Sequence, residues 1–286
     1  LTLSNNPALV TYDGLSSLTT VGDDLYITGN PSLTNVDGLA SLNSVGGKVH
    51  IQWNDSLLNV DGLMSLTSVG GPVYIMGHDA LTNVDGLSSL TSVGGYIDFY
   101  GNNALTDVDG LSSLVDLGGD LFIRGNGALA NVDGLSSLTG LERLYLAGNS
   151  VLTNIDGLSG VTTVGGTLDI DDNASLTSVD GLLSLTSAET DWSISRNTSL
   201  TDVDGLSNLN SVPGVLRIDY NDALVNVDGL SGLTSVSGEL YIEHNDTLPN
   251  VDGLTSLTSI AGTLFIGYSN ALLNVDGLSS LTRLEG

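Results

Sequence analysis

The sequence predicts a β-rich solenoid: a right-handed parallel coil of about twelve 24-residue turns, with one main parallel sheet and an asparagine ladder. Three observations predict it. Asp-Gly recurs at Asp13, Asp37, Asp61, Asp85, Asp109, Asp133, Asp156, Asp180, Asp204, Asp228, Asp252 and Asp276, always 24 residues apart except for one step of 23 after Asp133. Each repeat carries an apolar-x-apolar triplet, such as Leu25-Tyr26-Ile27, Leu121-Phe122-Ile123 and Leu240-Tyr241-Ile242. Three residues beyond the triplet's last apolar residue an asparagine recurs.

The triplet alternates apolar and polar, so it predicts a short strand with one buried face. Stacked at about 4.8 Å per turn, such strands make a parallel sheet and a rod roughly 55–60 Å long. The asparagines are Asn6, Asn30, Asn54, Asn102, Asn126, Asn149, Asn173, Asn197, Asn221 and Asn245, with His78 and Ser269 breaking the row. An inward amide satisfies backbone groups freed where the chain turns, and stacked amides bond one another. Asn54, Asn173, Asn197 and Asn245 also sit in glycosylation sequons, and the ladder is the preferred reading of them. The Asp-Gly-Leu-Ser-Ser-Leu block predicts a short 3₁₀ or helical turn with the aspartate as its cap. The Gly-Gly before most strands predicts a second tight corner, filled instead by Glu189-Thr190 and Pro213-Gly214 in two turns.

Composition narrows the function. The chain of 286 residues is 41% hydrophobic but only 5% aromatic, so its core is aliphatic. It has no cysteine, which excludes disulfides, thiolate metal sites and cysteine nucleophiles. A formal charge of −27 repels nucleic acid and anionic membrane surfaces and favours cations or basic partners. No run of about 18 apolar residues is present for membrane insertion. Neither end carries an atypical polar repeat of the kind that caps solenoids. The chain therefore reads as a single repeat solenoid over 1–286, either a segment of a larger protein or a stacking subunit with open ends.

Residues 37–54 run Asp37-Gly38-Leu39, Leu42, Val45-Gly46-Gly47, Val49-His50-Ile51, Asn54. This pattern resembles the receptor L-domain type of leucine-rich repeat, in the version found in long bacterial and protist surface proteins. The resemblance spans essentially the whole chain. It implies an extracellular or cell-surface scaffold for recognition or adhesion. The cysteine-rich neighbours of animal receptor L domains are missing.

A site is expected on the outward strand positions, where a repeat scaffold lets sequence vary. One row runs Tyr26, His50, Tyr74, Asp98, Phe122 and on to Tyr145, Asp169, Ser193, Arg217, Tyr241 and Phe265. The next includes Tyr100, Asp171, Asp219 and Glu243, and an edge row holds Trp53, Arg196, Tyr220, His244 and Tyr268. Candidate ligand-binding residues are Tyr26, His50, Trp53, Tyr74 and Tyr100 in one group and Arg217, Tyr220, Tyr241, Glu243 and Tyr268 in another. Aromatic rings beside polar groups suit sugar stacking or a protein hot spot; strand propensity alone also favours them. Trp192 takes an inward leucine slot and reads as core.

Asp169, Asp171 and Asp172, near Asp191, are the one candidate site for a hard cation such as Ca²⁺, against a plain solvated surface. No other cofactor is expected. Asp219 and Glu243 fall on adjacent turns at about the spacing of a retaining glycosidase pair. A flat sheet, however, offers no cleft and no burial to raise one pKa, so the chain reads as non-catalytic. The expected function is surface display, adhesion, or protein or glycan recognition. The alternatives are a filament or spacer subunit joining identical chains end to end and, from threonine rows such as Thr67, Thr91, Thr234 and Thr258, ice binding.

Overall fold

A computed structural model describes residues 1–187 and 189–286. The chain divides into two compact units, Leu1–Leu138 and Thr139–Gly286. The division falls in the one 23-residue step, where Leu141-Glu142-Arg143 stands in place of the usual Val-Gly-Gly-x.

Each unit is a β-solenoid. In the first, the strands Thr2–Ser4, Leu25–Thr28, Val49–Gln52, Val73–Met76, Ile97–Tyr100 and Leu121–Arg124 pair in parallel, in chain order. In the second, Leu144–Ala147, Leu168–Asp171, Trp192–Ser195, Leu216–Asp219, Leu240–Glu243 and Leu264–Gly267 do the same. Register is kept turn over turn: Leu25 faces Val49 and Ile27 faces Ile51, as Leu216 faces Leu240 and Ile218 faces Ile242. In the inner turns the triplet's apolar residues are therefore buried, while its middle residue stands on the outer face. Two-residue strands such as Ser44–Val45 and Ser235–Val236 form smaller parallel sheets on a second side.

The Asp-Gly-Leu blocks are 3₁₀ turns, for example Asp37–Leu39, and no α-helix occurs among the described residues. The aspartate is not their cap. Val36 holds the cap position, and Asp37 is the first residue inside the turn, its own N–H donated to Asn35 Oδ1 at 3.1 Å. The same bond recurs at Asn59 with Asp61 and at Asn226 with Asp228. An Asx turn two residues upstream thus does the work predicted for the aspartate. The glycine that follows is fixed by proximity. A Cβ on Gly62 would lie 1.8 Å from the Val36 carbonyl oxygen of the preceding turn, and one on Gly253 would lie equally close to that of Val227. Only glycine lets the turns approach this closely.

Leucine, valine and isoleucine fill the interior, as at Leu33, Val36, Leu39 and Leu42, all fully buried. Each such side chain contributes roughly 1.5–3 kcal/mol by leaving water. Phe99 and Trp192 are the largest side chains in the core.

The asparagine ladder runs through both units. Asn30 accepts the Asn6 backbone N–H at 3.0 Å through Oδ1 and donates from Nδ2 to the Leu3 carbonyl at 2.9 Å. Asn197 repeats this with the Asn173 N–H at 3.1 Å and the Ile170 carbonyl at 2.9 Å. His78 does not break the row. Its Nδ1 accepts the Asn54 N–H at 3.2 Å, its Nε2 meets the Ile51 carbonyl at 3.1 Å, and its own N–H donates to Asn102 Oδ1. Ser269 keeps one of the two bonds, accepting the Asn245 N–H at 3.2 Å. Asn54, Asn173, Asn197 and Asn245 are fully buried, so these sequon side chains serve the ladder. The threonine rows serve the stack too. Thr91 donates its hydroxyl to the Thr67 carbonyl one turn back at 3.1 Å, and Thr258 to that of Thr234 at 3.0 Å.

Candidate recognition face

The residue just before each ladder position has left-handed backbone. In the first unit this row is Asn5, Gly29, Trp53, Gly77, Gly101 and Gly125; in the second it is Gly148, Asp172, Arg196, Tyr220, His244 and Tyr268. Glycine adopts this conformation freely, whereas any other residue there costs about 1–2 kcal/mol. The second unit accepts that cost in five successive turns, with φ between 53° and 55°.

Three of those side chains form one stack. The Tyr220 and His244 ring centroids are 4.3 Å apart with planes 8° from parallel, and His244 and Tyr268 are 4.7 Å apart at 13°. Tyr220 is 44% exposed and Tyr268 66%. Phe265 lies 5.8 Å from Tyr268. Beside the stack, Arg217 sits 4.2 Å over the Tyr241 ring, and its Nη1 donates to Asp219 at 3.1 Å and Glu243 at 3.3 Å. The Tyr241 hydroxyl donates to Glu239 at 2.6 Å, the main reason its pKa is raised. The predicted group of Arg217, Tyr220, Tyr241, Glu243 and Tyr268 is therefore brought together, with His244 at its centre. Asp219 and Glu243 do face one another in register, but both are held by Arg217, and Asp219 also accepts the Ser195 hydroxyl.

The other predicted group separates into parts. Tyr26, His50 and Tyr74 do line up, with centroids 5.6 and 4.8 Å apart. The run continues through Tyr96, which the sequence reading missed, to Phe122. Tyr96 stands before its strand, and Asp98 holds the expected slot. Asp98 is paired with Arg124 by bonds of 3.2 and 2.8 Å, and Arg124 covers the Tyr100 ring at 4.8 Å. Trp53 stands apart on the left-handed row, 60% exposed, its ring over Gly77.

The candidate cation residues do not converge. Asp171 is bound by Arg196, and Asp172 belongs to the left-handed row. Among the described residues no three histidine or acidic side chains are placed to hold a metal ion. One expectation about acids is corrected: burial on this sheet does raise a carboxyl. Asp169, half-buried and then opposed by Asp171, is pushed up to about 6.

Stacked parallel strands, in-register leucines and an inward asparagine ladder define a repeat β-solenoid, and the parallel sheet of repeats fits a leucine-rich-repeat-like scaffold. Comparison with protein families and with curated proteins gives no match. Among solved structures, a chain titled "Crystal structure of TLR13-ssRNA13 complex" is similar at 12% identity and a TM-score of 0.16. The alignment covers 90% of this chain and 56% of that one, and at this score it carries no argument about function.

Proposed function

We propose that the chain is a non-catalytic scaffold, displayed outside the cell or on its surface, that recognises a protein partner through the aromatic edge of its second unit. The observation that supports this is the Tyr220–His244–Tyr268 stack, built at positions that glycine fills in other turns. Nothing in the packing of the core requires bulky rings there, and residues held in strained backbone cluster where they serve function. Stacking covers both faces of His244 and the inner faces of Tyr220 and Tyr268. A ridge of rigid rings beside Arg217 and Glu243 suits a protein hot spot. The net charge of −27 favours a basic partner. Adhesion and the extracellular setting draw further support from the resemblance of the repeat.

The test immobilises the whole chain and a Y220S/Y268S variant, matched by circular dichroism, against purified surface and matrix proteins, with a glycan array in parallel. The expected result is a protein that binds the parent and loses about tenfold or more on the variant, as hot-spot truncation predicts. Equal binding to both, or binding to glycans alone, overturns the proposal.

A further inference from the structure

A separate feature lies on the left-handed row of the first unit, and it does not depend on the aromatic stack of the second. Trp53 is the one aromatic residue of that row, with Gly29 before it and Gly77, Gly101 and Gly125 after it. Its five-membered ring rests against Gly77, where a Cβ would lie 2.8 Å from Trp53 Cδ1. The glycine seats the indole, and Trp53 remains 60% exposed. The fold does not ask for a large ring here, since glycine serves the same place in the next three turns. A side chain held in left-handed backbone is strained, and such strain persists where function uses it.

Elsewhere the chain covers its outward rings with its own cations. Lys48 Nζ is 5.1 Å from the centre of the Tyr26 ring, the Arg124 guanidinium 4.8 Å from that of Tyr100, and the Arg217 guanidinium 4.2 Å from that of Tyr241. Indole is the best of the aromatic rings for this contact. Among the described residues, however, no lysine or arginine lies over Trp53. With 6 basic side chains against 33 acidic ones, the chain has few cations to spare. The surroundings of the ring are acidic. Asp55 is two residues beyond Trp53, Asp79 two beyond Gly77, and both are exposed. Both act electrostatically on His78, the residue after Gly77, so the two carboxylates flank the place where the indole rests. His78 itself is buried and, lowered to about 4, carries no opposing charge at neutral pH. A cation from outside therefore meets an open ring and two counter-charges. A guanidinium suits both at once: it is planar and weakly hydrated, lies flat on a ring, and still offers N–H groups to carboxylates.

We propose that Trp53 is a docking point for an arginine side chain of a basic protein partner, with the guanidinium against the indole and Asp55 and Asp79 as its counter-charges.

The chain's two tryptophans make the test direct, because Trp192 is buried to within 1% and serves as the internal control. In the ¹⁵N-labelled full chain, both indole N–H resonances are followed while N-acetyl-L-arginine amide is added to high millimolar concentration. Its neutral isostere N-acetyl-L-citrulline amide and methyl β-D-glucoside are added in parallel. A saturable shift at Trp53 with the arginine compound alone is expected, with Trp192 unmoved. The variant D55N/D79N should weaken it about threefold or more, the loss of two exposed counter-charges. W53G restores the row's usual residue, so it should match the parent by circular dichroism and lose the response, read at the Gly77 amide. Y220S/Y268S should keep the full response, which separates failure of this site from failure of the aromatic stack. No saturable shift at Trp53 overturns the proposal, as does an equal response to citrulline or to the glucoside, or full affinity in D55N/D79N.

Discussion

Nδ1 of His78 accepts the backbone N–H of Asn54 at 3.2 Å, so a histidine does the ladder work of an asparagine amide. That bond requires an unprotonated Nδ1, and Nε2–H then donates to the Ile51 carbonyl at 3.1 Å. Burial is the chief reason the imidazole pKa falls from 6.5 to about 4. A base with a depressed folded pKa stabilises the fold fully above its unfolded pKa, and that contribution is lost as pH falls from 6.5 through about 4. The gap is worth roughly 3 kcal/mol. Denaturant melts of the parent should weaken by about that much over this window, and H78N should flatten this part of the profile. A profile unchanged by H78N would refute the assignment.

Close approach of the turns sets a second expectation. The substitution G62A should cost more than about 3 kcal/mol, because its Cβ meets backbone that cannot yield. G14A has nothing within 4 Å and should change stability by less than about 1 kcal/mol. Equal costs in thermal melts would show that the turns are not held this closely.

Removing a ladder rung should be severe. N197A strips the Asn173 N–H of its only acceptor shown and the Ile170 carbonyl of its side-chain donor inside the core. The Ile170 carbonyl keeps its ladder bond within the sheet, so one orphaned backbone N–H predicts a loss of about 1–3 kcal/mol in urea unfolding. N270A, on an exposed residue, should cost little.

The left-handed row makes the opposite prediction for stability and binding. H244G relieves about 1 kcal/mol of backbone strain and gives up ring contacts worth about 0.5–1.5 kcal/mol each. Its melting temperature should stay near the parent's, while affinity for a partner of the stack is lost. A large fall in melting temperature would mean the rings serve the fold.

Charge predicts a salt response. The aspartates inside the 3₁₀ turns stack in register, and Asp61 is raised by burial and then by Asp85 and Asp37. Screening such like charges should raise the melting temperature with added sodium chloride. A flat or falling curve would contradict that.

The repeat was legible because it is one-dimensional: each turn meets its neighbours through the same residues, so period alone aligns Ile27 with Ile51 and Asn30 with Asn54. The outward rows followed from strand alternation, and so did the group around Arg217 and Tyr241. The left-handed row left a trace in the sequence, since the position before the ladder is glycine at Gly29, Gly77, Gly101, Gly125 and Gly148. Tyr96 escaped because it reaches the aromatic run from outside its strand.

The sequence by itself determined the period, the buried stripe, the ladder and the positions free to vary, because these depend on spacing along the chain. Only the tertiary structure decided that Asn35 rather than Asp37 holds the turn, that His78 continues the ladder, that Arg217 binds both Asp219 and Glu243, and that Trp192 is buried with no protein acceptor for its indole N–H. Those outcomes depend on where side-chain atoms end up relative to the adjacent turns. Distances of a few ångströms between turns fix them, and no spacing along the chain encodes such distances.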